Sequence, residues 1–212
     1  MKKLFSKLRG ETAALNQKQP IVIVSGLPRS GTSMMMKMLE AGGVPPLTDE
    51  QREADDDNPK GYYEFERVKQ MDKGDFGWVV DARGKVVKVI SALLKYLPKE
   101  EHYQVVFLRR HMSEILASQR KMLIRRGEDP DKVDEEQMAM LFERHVQQVE
   151  QWLKQQPNIE TLYVHYSDVM ADPLAEISRI SRFLGRDMDI EAMATVVDPN
   201  LYRNRQKEAA AA

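Results

Sequence analysis

The sequence predicts an α/β protein in three layers: a central, mostly parallel sheet of about four to five strands with helices on both faces. Three observations carry this expectation. Apolar and β-branched runs recur along the chain, at Val22–Val24, in "GKVVKVIS" (84–91), in "QVVFLRR" (104–110) and in "TLYVHYS" (161–167). The segments between them place apolar residues every three to four positions, the helical period. The first run passes through a glycine-containing turn straight into a helical segment, so strands and helices alternate from the start.

Taken in order, Val22–Val24 lies between Pro20 and Gly26 and reads as a buried strand. Met34, Met35, Met38 and Leu39 trace the following helix, and Gly42-Gly43 ends it. Residues 44–60 contain three prolines and the run Asp55-Asp56-Asp57, and read as a long loop. Neighbouring aspartates do not converge on one ion, so that run reads as a solvated turn. "GYYEFERVKQMDK" (61–73) reads as a short strand or turn entering a helix. A helix is expected over Ser113–Ile124 with Ser113 as its N-cap, then a charged connection, with 122–136 as a second long loop. Met138, Leu141, Phe142, Val146, Val149, Trp152 and Leu153 form one helical apolar stripe. Asp172 caps a further helix, with Pro173 in its first turn and Gly185 past its end. The organisation is a basic N-terminal helix or tail at 1–19, one domain at 20–205 and a tail at 206–212.

Composition narrows the function. With 212 residues and a formal net charge of −1, the chain has no bulk attraction for nucleic acid, so any anion site must be a local arrangement. The absence of cysteine excludes disulfides and a thiol nucleophile, and fits a reducing cytoplasm. No apolar run approaches the roughly 18 residues of a membrane span. The N-terminal "MKKLFSKLRGETAALNQKQ" is basic but lacks the apolar core of a signal peptide.

Ligands of parallel sheets bind at the carboxyl ends of strands. There, "SGLPRSGTS" (25–33) sets Gly26 and Gly31 five residues apart at a helix start, where unpaired backbone N–H groups face an anion. An ATP-binding loop carries Lys after its second glycine; this loop has Thr32 there and Arg29 inside it. "PRSGTS" resembles the 5′-phosphosulfate loop of sulfotransferases, P-[KR]-S-G-T-[ST], whose donor is 3′-phosphoadenosine 5′-phosphosulfate (PAPS). The resemblance implies a P-loop-like fold and donor contacts from Pro28, Arg29, Ser30, Gly31, Thr32 and Ser33. Arg110, at a strand end, and Ser118 resemble the family's R-x7-S motif for the 3′-phosphate, with Met112 where the family often has proline. Arg203 is carried over as a late 3′-phosphate contact, with Arg205 beside it, although the family's R-K-G triplet is absent.

For the transfer itself, Arg29 is the leading cation and Lys88 the second. "KVISALLKYLP" weakly resembles the family's K-T-H-L-P segment at Lys88, but the catalytic His of that segment falls on Ile90. A carboxylate base is therefore expected. Glu64, in a segment similar to one in bacterial members, is preferred; burial beside two aromatics would raise its pKa. Glu50 is the rival. "YSDVMADPLAEISRISRFLG" (166–185) resembles the family's Y-x-D-L…DP…FLG segment, a mostly structural one. None of the four histidines has metal-ligand spacing, and no metal is expected. The acceptor would be a small molecule, a glycan or a peptide. The alternatives are a P-loop nucleotide phosphotransferase, disfavoured by Thr32 in place of Lys, and a non-catalytic nucleotide-binding module.

Overall fold

The computed structural model describes residues 19–49, 63–132 and 134–198. Strands β1 (Ile21–Gly26), β2 (Val86–Lys88), β3 (Tyr103–Arg109) and β4 (Ile159–His165) form one four-stranded sheet in the order β2-β1-β3-β4. Every pairing is parallel, with Val24 opposite Lys88 on one side and Val106 on the other. All six residues of β1 are buried, as expected of a strand covered on both faces. Side chains alternate along it. Val22 and Val24 enter one core, with Val106 and Leu108; Ile21 and Ile23 enter the other, with Val105 and Phe107.

The first core lies under α1 (Thr32–Ala41), α5 (Pro173–Leu184) and α6 (Ile190–Thr195), through Met35, Met36, Leu39, Ile177, Ile180 and Met193. The second lies under the 3-10 helices η1 (Glu66–Lys73), η2 (Val79–Ala82) and η3 (Ser91–Tyr96) and the long α3 (Glu135–Leu153), through Met71, Trp78, Leu94 and Leu153. Each such side chain taken from water contributes about 1.5–3 kcal/mol. Helix α2 (Met112–Arg125) leaves β3, and the short α4 (Tyr166–Ala171) leaves β4.

The three-layer expectation holds, with local corrections. Helix α2 begins after His111, whose backbone is still extended; Ser113 lies inside the first turn, its Oγ 3.1 Å from His111 Nδ1, and so is not the cap. Helix continues through Arg125, and α3 opens at Glu135 with Asp134 accepting from Gln137 N at 3.1 Å, so the expected loop at 122–136 shrinks to 126–134. The second run, 84–91, pairs over only Val86–Lys88, because the chain turns into η3 at Ser91. Asp172 does cap α5, accepting from Ala175 N at 3.1 Å, and Gly185 ends it at φ 61°. The N-terminal basic segment, Asp55–Asp57 and the C-terminal tail lie outside the described residues. Among the described residues no helix is long and apolar enough to cross a membrane.

Candidate active site

The loop between β1 and α1 is built on positive backbone angles. Ser30 N donates to Leu27 O at 3.2 Å, closing a turn with Pro28 at its second position and Arg29 at its third. Arg29 has φ 71°, the left-handed angle that a type II turn demands there and that normally selects glycine. Gly26 and Gly31 have φ 148° and 102°. A side chain on Gly31 would start 2.6 Å from Tyr166 Cδ2, and one on Gly26 would meet Ser30 Oγ at 2.6 Å and Leu108 O at 2.7 Å. The glycines are thus needed twice, for dihedral angle and for room. Met35 N is the first to bond back into the helix, to Gly31 O at 3.1 Å, leaving the N–H groups of the first turn for other acceptors.

Ser25 and Ser30 are both 0% exposed, and their hydroxyl oxygens have no hydrogen-bond partner among the described residues. Unsatisfied buried hydroxyls are rare in native folds and call for a missing partner. Around this loop the structure gathers several of the residues singled out in the sequence. Arg29 Nε donates to Ser118 Oγ at 2.8 Å across 89 residues of chain. Arg110 Nη1 donates to Arg29 O at 3.1 Å. On the other flank Lys88 Nζ donates to Ser33 Oγ at 3.5 Å, tying the end of β2 to the first turn of α1. Thr32 and Ser33 open α1 beside them.

Two partners of Arg110 are not predicted by the motif. Arg110 Nε donates to Glu114 Oε2 at 2.9 Å, with the two side chains only 9% and 4% exposed, and its guanidinium lies 4.4 Å from the centre of the Tyr166 ring. The i,i+4 spacing of Arg110 and Glu114 on a helix start is the sequence signal for the first. Tyr166, 5% exposed, supports both Arg110 and Gly31, a role no local pattern reveals. Beside Arg110 a cavity of about 510 Å³ opens between α2, α3 and the ends of β3 and β4. Leu27, Phe107, Ile115 and Val146 are among its apolar lining; His111 and His165 are among its polar lining.

Glu64 sits at the β2 edge of the sheet. Pro46 bridges to Val86 in parallel and Leu47 N donates to Val86 O at 2.8 Å, so 46–49 runs alongside β2. From that segment Thr48 Oγ1 donates to Glu64 O at 2.8 Å. The Glu64 side chain is 22% exposed, and Lys69 Nζ lies 3.2 Å from its Oε2. Near Ser91, His145 of α3 places Nε2 2.9 Å from Ser91 Oγ; burial, then the charge of Lys95, holds this imidazole below its usual pKa. Glu50, Arg203 and Arg205 lie outside the described residues. No group of three or more histidines and carboxylates among the described residues is placed to hold a metal ion.

The chain is a parallel α/β sheet with an arginine-bearing, hydroxyl-lined loop at its first strand end. The chain belongs to the sulfotransferase domain family, whose model matches residues 19–211. Among solved structures it is similar to the sulfotransferase domain of the olefin synthase of Synechococcus PCC 7002, at 18% identity, TM-score 0.53, covering 91% of this chain and 90% of that one. It is similar also to sulfotransferase STF9 of Mycobacterium avium, at 13% identity, TM-score 0.53, covering 96% and 73%. A third is mouse sulfotransferase SULT7A1 complexed with PAP, at 18% identity, TM-score 0.52, covering 87% and 63%. At these identities the likeness concerns the fold. No curated protein sequence matches the chain.

Proposed function

We propose that the chain transfers a sulfuryl group from PAPS to a hydroxyl or amine acceptor, a small molecule, glycan or peptide, by in-line displacement. The observation that carries the reading is the junction of Arg29, Ser118 and Arg110. Arg29 Nε meets Ser118 Oγ at 2.8 Å and Arg110 Nη1 meets Arg29 O at 3.1 Å, which joins two sequence-distant motifs into one cationic corner. A donor with phosphosulfate at one end and a 3′-phosphate at the other calls for such a corner. The partnerless hydroxyls of Ser25 and Ser30 fit an anion in the loop. That SULT7A1 is complexed with PAP supports the same ligand class.

In this reading Ser30, Gly31, Thr32 and Ser33 hold the 5′-phosphosulfate through backbone N–H and hydroxyl donors, and Pro28, which has no N–H to give, lies against it and fixes the turn that presents them. Arg110 and Ser118, with Arg203, hold the 3′-phosphate. Arg29 and Lys88 stabilise charge on the leaving phosphate oxygen and the sulfuryl oxygens. The sulfur–oxygen bond to the 5′-phosphate breaks as a bond from sulfur to the acceptor oxygen or nitrogen forms. Glu64 accepts the acceptor's proton. Its anchoring beside β2, the strand that carries Lys88, supports that assignment. No metal is required, and a cytoplasmic setting suits the cysteine-free chain.

Thermal shift with 3′,5′-adenosine bisphosphate against ATP plus Mg²⁺ tests the reading. Stabilisation by the bisphosphate is expected. Stabilisation by ATP–Mg²⁺ alone would overturn it in favour of a phosphotransferase. Bisphosphate binding without transfer to any acceptor would leave a nucleotide-binding module.

A further inference from the structure

Tyr63 has φ 51°, one of only two non-glycine residues with a positive angle among the described residues; the other is Arg29 in the loop. Bulky residues avoid this region, and where one is held there the surroundings have to enforce it. The enforcement is visible on both sides. Following Tyr63, the chain is clamped to segment 46–49. Glu64 O accepts from Thr48 Oγ1 at 2.8 Å and from Asp49 N at 3.3 Å, and Glu66 N donates to Asp49 Oδ2 at 2.7 Å. On the other side the Tyr63 ring packs against the core beneath α1, and its hydroxyl donates to the Glu40 carboxylate near the end of that helix. The left-handed angle lets adjacent residues serve opposite partners, Tyr63 reaching α1 while the Glu64 carboxylate meets Lys69 at 3.2 Å.

We propose that Tyr63 is a positioning residue for Glu64: its hydroxyl bond to Glu40 links the carboxylate's segment to the helix that grows out of the anion loop. The proposal rests on the reading of Glu64 as the base. Thr48 and Asp49 hold the Glu64 backbone in place, while Tyr63 sets the direction in which the chain arrives. Without the Glu40 bond, Tyr63 is released toward ordinary negative φ, and the Glu64 side chain changes direction about a carbonyl that Thr48 and Asp49 still hold.

The test uses Tyr63→Phe, Glu40→Ala, Glu40→Gln and the double variant Tyr63→Phe/Glu40→Ala in the full chain. Transfer of label from PAPS is followed with 4-nitrophenol and with water as acceptors. Tyr63→Phe and Glu40→Ala should each lower kcat about 10-fold with the KM for PAPS within about twofold, the pattern of a misaimed group rather than lost binding. The double variant should lose no more than either single change, because both remove one bond. Glu40→Gln keeps an acceptor for the hydroxyl and should retain most of the rate. Losses that multiply, or a Tyr63→Phe variant with the parent kcat, would overturn the proposal. A second readout needs no turnover: carboxylate titration by carbon-13 NMR, with the Glu64 signal assigned by its disappearance in Glu64→Gln. That signal should move in Tyr63→Phe, and an unmoved signal overturns the proposal. Full activity in Glu64→Gln instead removes the base reading, whatever Tyr63→Phe does.

Discussion

Replacing Gly31 by alanine probes the loop at its tightest point. Gly31 has φ 102° and ψ 13°, where an L-residue is disfavoured by about 1–2 kcal/mol. The added methyl would also stand 2.6 Å from Tyr166 Cδ2 and 3.0 Å from Cε2. Tyr166 is 5% exposed and lies against the Arg110 guanidinium, so the ring cannot retreat without moving a second part of the site. Overpacking of this kind costs about 1–3 kcal/mol, and the two effects together come to about 2–5 kcal/mol. The protein can absorb this globally or by remodelling the loop. Global absorption lowers Tm by about 2–4 °C per kcal/mol for a chain of this size. Loop remodelling of at least about 2 kcal/mol weakens 3′,5′-adenosine bisphosphate by about 30-fold. Calorimetric titration and thermal melting of the same sample should therefore register a loss in one or both. Gly127→Ala is the control, since Gly127 also has positive φ, 70°, but nothing lies within 4 Å of an added Cβ. A Gly31→Ala protein within about threefold in affinity and about 1 °C in Tm of the parent would refute the reasoning, because neither cost would then exist.

Other perturbations separate binding from stability. Ser118→Ala removes the 2.8 Å partner of Arg29 Nε, and bisphosphate affinity by titration should fall about 10-fold; an unchanged value would detach Ser118 from the site. Asp172→Ala removes the 3.1 Å cap on Ala175 N and should cost about 1 kcal/mol, a Tm loss of about 2–4 °C with bisphosphate affinity intact. His145 has a folded pKa below its unfolded value, so its contribution to stability is complete above about pH 6.5 and is lost as pH falls through the lowered folded value. His145→Gln should therefore flatten the fall of Tm on the acid side of neutrality; a melting profile with the parent's slope would count against this account.

Much of the architecture is legible locally. The apolar run at Val22–Val24, the periodic methionines of α1, the Val146–Leu153 part of the stripe on α3 and the Asp172–Gly185 punctuation all act over one or two turns of chain, and all appear in the structure, whereas Leu141 of that stripe is 57% exposed. The errors also have local causes. Ser113 has the chemistry of a cap, but the helix starts earlier, at Met112. The charged residues after Met122 suggest a loop, yet nothing in them breaks a helix before Gly127, and α2 continues to Arg125. The 3-10 helices on the second core lack the 3.6-residue period by which helices are read from sequence.

At the candidate site the sequence by itself determined the chemistry of the loop. Two glycines, an arginine and adjacent hydroxyls between a strand and a helix supply the groups on which the proposed anion site rests, because backbone angle and helix-end N–H groups are properties of neighbouring residues. Tertiary structure decided which other groups share it. Ser118 reaches Arg29, Lys88 reaches Ser33, and Tyr166 rests against both Gly31 and Arg110 because parallel strand order sets these chain-distant residues at the same carboxyl end of the sheet. The orientation of Glu64 depends likewise on a left-handed Tyr63 and a clamp from Thr48 and Asp49. Local preference opposes that angle, and only packing from two sides can hold it, so no reading of neighbouring residues could have supplied it.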